Sequence, residues 1–244
     1  KGGGGGGRTP VELDDSLSSE QFASVLDLLC EGEIQGFDDG GKSIFLEDTP
    51  LQNADGSFNF DNFAVASTNG TQGQSHIPDP SGGIQTARAV NVEVTNGTPV
   101  TRSITNSDVD RVRVTISLPS LQEVTDKGDI LGHSVQIKIQ VQYDSGGYND
   151  VLSDTISGKS SARYQRDYLV PLTGSFPVDL RVVRVSADET SSKKVSNTFF
   201  TSYTEIQDEK LAYPNSALVG LRFSAKQFQN IPRRKYLIRG TKVR

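Results

Sequence analysis

Between residues 85 and 203, apolar and polar residues alternate with period two in one segment after another. The clearest case is 135–143, where Val135, Ile137, Ile139, Val141 and Tyr143 are separated by Gln136, Lys138, Gln140 and Gln142. Successive side chains of a strand point to opposite faces, so such a segment offers one face to a core and the other to water. Segments 89–94, 112–116, 151–156, 164–170 and 178–185 repeat the pattern. Ser145-Gly146-Gly147, Ser157-Gly158 and Thr173-Gly174 supply turns among the later ones. Six or seven short strands at this spacing predict an antiparallel β-sandwich of immunoglobulin or fibronectin type III kind over 85–203. The chain has one cysteine, Cys30, and no tryptophan. The inter-sheet disulfide and core indole of antibody domains are therefore missing, which favours the fibronectin-like variant.

The flanks read differently. Ser18 with Gln21 forms a capping-box pair, and Phe22, Val25, Leu26 and Leu29 fall at i, i+3, i+4 and i+7, so a short helix is expected, with Gly32 as its left-handed cap. Cys30 near its end is expected to be a small packed residue, because Asp27, Glu31 and Glu33 around it disfavour a thiolate. Residues 34–37 and 42–46 read as a hairpin around Asp38-Asp39-Gly40-Gly41, and Phe58, Phe60 and Phe63 as one face of a further strand. The stretch 67–83 is rich in Gly, Gln, Ser, Asn and Pro and reads as a loop or linker. Strands at 199–206, 218–223 and 236–244 follow. The last two lack partners inside the sandwich and are expected to pair with 33–60. The expected fold is mainly β: a discontinuous β-rich domain (18–84 and 204–244) with one short N-terminal helix and the antiparallel sandwich 85–203 inserted in it.

Residues 1–17 stand apart as an arm, with glycine at every position from Gly2 to Gly7. Ordering each residue costs about 1–2 kcal/mol, and glycine has no side chain with which to offset it. The arm is expected to be a strap held by the backbone of another subunit.

Composition narrows the chemistry. The formal charge of −5 argues against sequence-specific nucleic-acid binding, which needs clustered cations. Arg233-Arg234-Lys235 is one local basic run, read as a solvated or intersubunit patch. No stretch approaches the ~20 apolar residues of a transmembrane segment. The two histidines, His76 and His133, lack a nucleophile signature and are expected at the surface. The acidic turns 38–41 and 53–57 lack the oxygen-ligand pattern of a calcium loop. No catalytic residue, metal site or cofactor is expected. The chain starts without Met and its last residues read as a strand, so it is expected to be a portion of a longer polypeptide.

One segment is more specific. Ser202-Tyr203-Thr204-Glu205-Ile206, then Asp208, Lys210, Tyr213-Pro214-Asn215 and Ala217-Leu218-Val219-Gly220, resembles the SYTEI-x-D-x-K-x-x-YPN-x-ALVG stretch in the N-terminal region of the tail tip proteins J of lambda-like siphophages, also called host specificity proteins or central tail hubs. The resemblance is collinear over nearly the whole chain. It takes in Arg8-Thr9-Pro10, Ser24-Val25-Leu26-Asp27 with Glu31-Gly32-Glu33-Ile34-Gln35-Gly36, Gly41-Lys42-Ser43-Ile44 with Asp48-Thr49-Pro50, Thr98-Pro99-Val100-Thr101-Arg102 with Asp110-Arg111-Val112-Arg113, and Tyr236-Leu237-Ile238-Arg239-Gly240. Cys30 departs from it, standing where the family often has a small or hydroxyl residue.

The resemblance implies a virion component at the distal end of the phage tail, not an enzyme. It implies a homotrimeric hub that closes the tail tube and takes part in host attachment and DNA ejection. Its neighbours would be other tail tip and distal tail proteins, with the tape measure protein among the candidates, and C-terminal regions outside this chain would meet the host receptor. Arg8, Thr9, Pro10, Arg233, Arg234 and Lys235 become interface candidates. Tyr203, Glu205, Tyr213, Pro214, Asn215 and Gly220 become architectural, with Pro214 fixing one dihedral and Asn215 tolerating a tight turn. A carbohydrate-binding β-sandwich adhesin, on a cell surface or a virion, is the alternative, although it lacks the exposed tryptophans such platforms favour.

Overall fold

The computed structural model describes residues 8–77, 83–228 and 230–241; the expected role of Gly2 to Gly7 as a strap lies outside the described residues. By backbone proximity the chain divides into two compact units. One contains the described part of Lys1–Ser19 with Gln85–Gln207, the other the described parts of Glu20–Ile84 and Asp208–Arg244.

In the first unit, two four-stranded antiparallel sheets face each other. One has the order Asn149–Gly158, His133–Tyr143, Val178–Arg184, Val100–Ile104, and the other Tyr164–Pro171, Arg111–Leu118, Phe199–Gln207, Ile84–Glu93. The period-two pattern explains the core: Val135, Ile137, Ile139 and Val141 are fully buried, as are Val178, Leu180 and Val182 on the neighbouring strand and Val112, Val114 and Ile116 on the other sheet. Register sets Ile139 opposite Val182 and Val141 opposite Leu180. Each such side chain contributes about 1.5–3 kcal/mol by leaving water. Phe200 and Tyr203 both reach this core although they stand three positions apart, an odd spacing that would put them on opposite faces of a regular strand. A register shift between Phe200 and Ser202 turns the strand so that both face inward, with ring centroids 6.2 Å apart. The strand Val100–Ile104 has no alternating signature and was not expected.

The second unit corrects several expectations. The helix expected over 18–29 is absent: Phe22–Glu31 is a strand, paired antiparallel with Ser216–Ser224 from Phe22↔Ser224 to Glu31↔Ser216. A short apolar run fits a buried strand as well as a helix, and pairing with a distant segment decided between them. Ala23, Val25 and Leu29 pack on the core. The expected capping residue Gln21 instead accepts Ala225 N–H through its backbone carbonyl, and its neighbour Glu20 accepts from Asn62 through its carboxylate.

The hairpin expected over 34–46 is also absent. Ile34–Phe37 pairs with Ile238–Thr241, Ile44–Leu46 pairs with Arg234–Tyr236 and Thr49–Pro50, and a 3-10 turn at Gly40–Ser43 separates them. Residues 218–223 do not pair with 33–60 as expected: Ser216–Ser224 is the middle strand of a three-stranded sheet, with Phe22–Glu31 on one side and Ala64–Asn69 on the other. The core below contains Ile44, Leu46, Leu51, Val219, Leu221 and Phe223, ringed by Phe60, Phe63, Phe228 and Tyr236. The strand expected through Phe58 is irregular chain, tied by a bridge from Gln52 to Phe58 and by Asn59 N–H to Leu51 O.

Candidate interaction surfaces

The segment from Ser202 to Gly220 leaves the first unit and enters the second. Tyr203 and Glu205 lie on Phe199–Gln207, both nearly buried. Glu205 meets Arg88 at 3.5 Å, and burial pushes the Tyr203 hydroxyl pKa up. Tyr213 and Asn215 then adopt positive φ, 46° and 60°, on either side of Pro214, and Ser216 N–H closes the turn on Tyr213 O at 3.1 Å. Asn215 tolerates this conformation better than most residues. The Asn215 carbonyl accepts Gly32 N–H at 2.6 Å, and the chain runs on into the strand that buries Gly220 between Leu26 and Ala66.

A residue the sequence did not single out clamps this turn. Gln74 donates from its side-chain amide to the carbonyls of Ala212, Tyr213 and Ser216 at 3.0, 2.8 and 2.9 Å, while its own oxygen accepts Gly70 N–H at 2.8 Å. Gln74→Ala is expected to cost about 1–2 kcal/mol, since a net hydrogen bond contributes roughly 0.5–1.5 kcal/mol and water replaces some of those lost. Amide exchange at Gly70 should rise, which hydrogen–deuterium exchange would detect.

The basic run is matched charge for charge within its own unit. Arg233 bonds Glu47 through its backbone N–H and Nε, Lys235 bonds Asp48, and Arg234 grips Asp27 with Nε and Nη2 at 2.6 and 2.9 Å. Tyr236 donates to the same carboxylate at 2.5 Å. Arg233 and Lys235 remain largely exposed, whereas Arg234 and Asp27 are mostly covered. This run therefore presents no uncompensated cationic patch.

The Arg234 guanidinium, helped by the Tyr236 hydroxyl, holds the Asp27 carboxyl below the usual range although partial burial pushes it up. A depressed folded pKa gives stability that is present above the unfolded value near 4 and is lost as pH falls through the folded one. Asp27→Asn is thus expected to cost about 1–2 kcal/mol at pH 6. The gap to the parent should close as pH falls below about 4, read from urea midpoints.

Arg8, Thr9 and Pro10 open a segment that packs on the first unit. Arg8 pairs with Asp129 at 2.9 Å, Val11 N–H donates to the same carboxylate, and Val11 and Leu13 exchange backbone hydrogen bonds with Ile130. Thr9 and Pro10 are exposed. Residues 8–17, set apart as an arm on sequence grounds, thus lie against the sandwich of their own chain.

Two buried cations were not legible as such. Lys159, 3% exposed, donates to Glu12 and Asp15 at 2.9 Å each. Arg184, also 3% exposed, holds the 186–198 loop by donating to the carbonyls of Ser186, Ala187 and Ser196 and to the hydroxyls of Ser196 and Thr198. His133 is not the surface residue expected: its ring lies 2.7 Å from Glu189 and 3.8 Å from Glu123. Cys30 is half-buried and its thiol donates to Glu31 O at 3.1 Å. Among the described residues no cluster of His, Cys, Asp and Glu is placed to hold a metal, and no helix is long and apolar enough to cross a membrane.

Several sheet edges carry exposed apolar groups, with Val65, Val151 and Leu169 on three of them and larger sets on two others. Ile84–Glu93 is an edge strand on which Ile84 and Val92 are exposed, and Phe22–Glu31 is another, with Phe22 and Leu28 exposed and Arg222 stacked 4.0 Å over the Phe22 ring. Such edges favour pairing with another chain.

The comparisons bear on both units. The family described as tip attachment protein J, FNIII-A domain, matches residues 84–209, just over half of the chain. The chain is 38% identical over 248 residues to a tip attachment protein J of Escherichia phage SECphi4, covering 100% of itself and 22% of that protein. It is 32% identical over 223 residues to the tip attachment protein J of Escherichia phage SECphi27, covering 90% of itself and 18% of that protein. It therefore spans about a fifth of the length of these curated relatives. A solved family GH115 4-O-methyl-alpha-glucuronidase aligns at TM-score 0.32 and 14% identity over 66% of this chain and 20% of its own, too low to carry an argument. With its fibronectin-like domain matched by the family and its whole length matched by such a relative, this chain belongs to the tip attachment protein J family.

Proposed function

We propose that this chain is part of the central hub of a phage tail tip, where three copies surround and close the distal end of the tail tube. The observation that carries this reading is the 38% identity running through both units to a tip attachment protein J. In this reading the chain contacts other tail tip and distal tail proteins, with the tape measure protein as a candidate. Polypeptide beyond it meets the host receptor, and the hub opens when DNA is ejected. The physical features suit a load-bearing part. Ladders between distant segments hold each unit, and the exposed edges at Ile84–Glu93 and Phe22–Glu31 offer backbone to neighbouring subunits. The test is a cryo-electron microscopy reconstruction of the intact particle. Density for both units in threefold arrangement at the distal end of the tail is expected; a single copy, or copies elsewhere in the particle, would reject the reading.

A further inference from the structure

The groove that holds residues 8–19 is shaped to that segment. Its floor is Gly158, where a Cβ would stand 2.6 Å from Ser16 Oγ and 2.8 Å from Leu17 Cγ. Its rim is the turn at Gly128, where a Cβ would come 3.1 Å from Pro10 Cγ. Backbone bonds join Val11 and Leu13 to Ile130, and Ser16 and Leu17 to Lys159 O, while Ser19 Oγ accepts Gln165 N–H. Lys159 lies at the centre, and its hydrogen bonds to Glu12 and Asp15 hold its ammonium protonated. Asp15 also accepts from Ser161 through hydroxyl and N–H, which together with Lys159 draws its carboxyl down to about 2.

A buried ammonium without a carboxylate partner is costly. The groove therefore selects an extended segment with two acids three residues apart, followed by Ser-Leu. That segment has no direct covalent link to the sandwich it occupies. The chain passes from Ser19 into the other unit at Glu20 and reaches the sandwich only at Gln85. A second copy of the chain carries the same arm and the same groove.

We propose that the Lys159 groove is a strap receptor and that residues 8–19 exchange between copies, the arm of a second copy supplying Glu12 and Asp15 to Lys159. This rests on the reading that copies of the chain assemble, and its test separates the two. Two full-length charge-reversal variants are made, E12K/D15K and K159E. When they are mixed, the unaltered arm of K159E meets the unaltered groove of E12K/D15K, and the two altered partners are complementary as well. Capture on a tag carried by E12K/D15K should retain untagged K159E and at least about tenfold less untagged E12K/D15K, the scale of a close charge pair. Equal retention of the two overturns the proposal.

Should either variant fail to fold by circular dichroism, a labelled peptide of residues 8–19 is added to the parent chain. Saturable uptake, weakened about tenfold by Glu12→Gln with Asp15→Asn in the peptide, supports exchange, and no saturable uptake overturns it. A parent chain that forms trimers while showing no exchange would remove this proposal and leave the hub reading standing.

Discussion

Arg184→Met is expected to destabilise the sandwich by about 3–5 kcal/mol, the range for removing one partner of a buried charged network. For a unit of this size that corresponds to a fall of about 6–20 °C in Tm. The substitution keeps most of the side-chain volume, so the loss reports polar satisfaction and not a cavity. Arg184 closes the end of Val178–Arg184, and its guanidinium converges on Ser186, Ala187, Ser196 and Thr198, with Asp188 at 3.2 Å. Ser196 and Thr198 are fully buried, so the acceptors left without Arg184 would face an apolar methionine with no solvent to replace the donors. Ser196 also donates to Glu189, which meets His133, so the loss should spread to that contact. Arg184→Lys should recover only part of it, because an ammonium cannot match the planar fork that reaches all these acceptors. A Tm of Arg184→Met within about 2 °C of the parent would mean that the loop is held by other contacts.

What the sequence made legible was local. The strand at 135–143 could be read because its own residues alternate, and the Tyr213-Pro214-Asn215 turn because proline and asparagine act on their own dihedrals. What stayed hidden depends on residues far along the chain. Gln74 clamps carbonyls near residue 215, Lys159 meets Glu12 and Asp15, and Arg233, Arg234 and Lys235 find Glu47, Asp27 and Asp48. A basic run is visible in a sequence; its neutralising carboxylates are not. The helix expected at 18–29 failed for the same reason. Its apolar spacing satisfied a helix locally, and only Ser216–Ser224, nearly two hundred residues on, made the strand preferable. The strand Val100–Ile104 was hidden differently: Thr101, Arg102 and Ser103 interrupt its apolar ends, so no period shows.

Gly70→Ala is expected to cost about 2–5 kcal/mol in the second unit. Two terms add. Gly70 has φ +83°, a region where a side chain costs about 1–2 kcal/mol. A Cβ there would also lie 2.3 Å from Gly32 O and 3.0 Å from Ala217 N, and both contacts are backbone, so no rotamer change relieves them; overpacking of this kind costs about 1–3 kcal/mol. Gly40 separates the terms: it lies in the same unit with φ +50°, yet a Cβ would meet nothing within 4 Å. Gly40→Ala should therefore cost only about 1–2 kcal/mol. Urea midpoints for the two variants decide the matter, and equal losses would show that the close approach is absent. The site of the clash gives the comparison its value. Gly32 also donates to Asn215, and Gly70 is held by the Gln74 that clamps the same turn. Moving Gly70 therefore displaces the junction where Phe22–Glu31, Ala64–Asn69 and Ser216–Ser224 come together, so a fault at one glycine should loosen the whole return of the chain into its second unit.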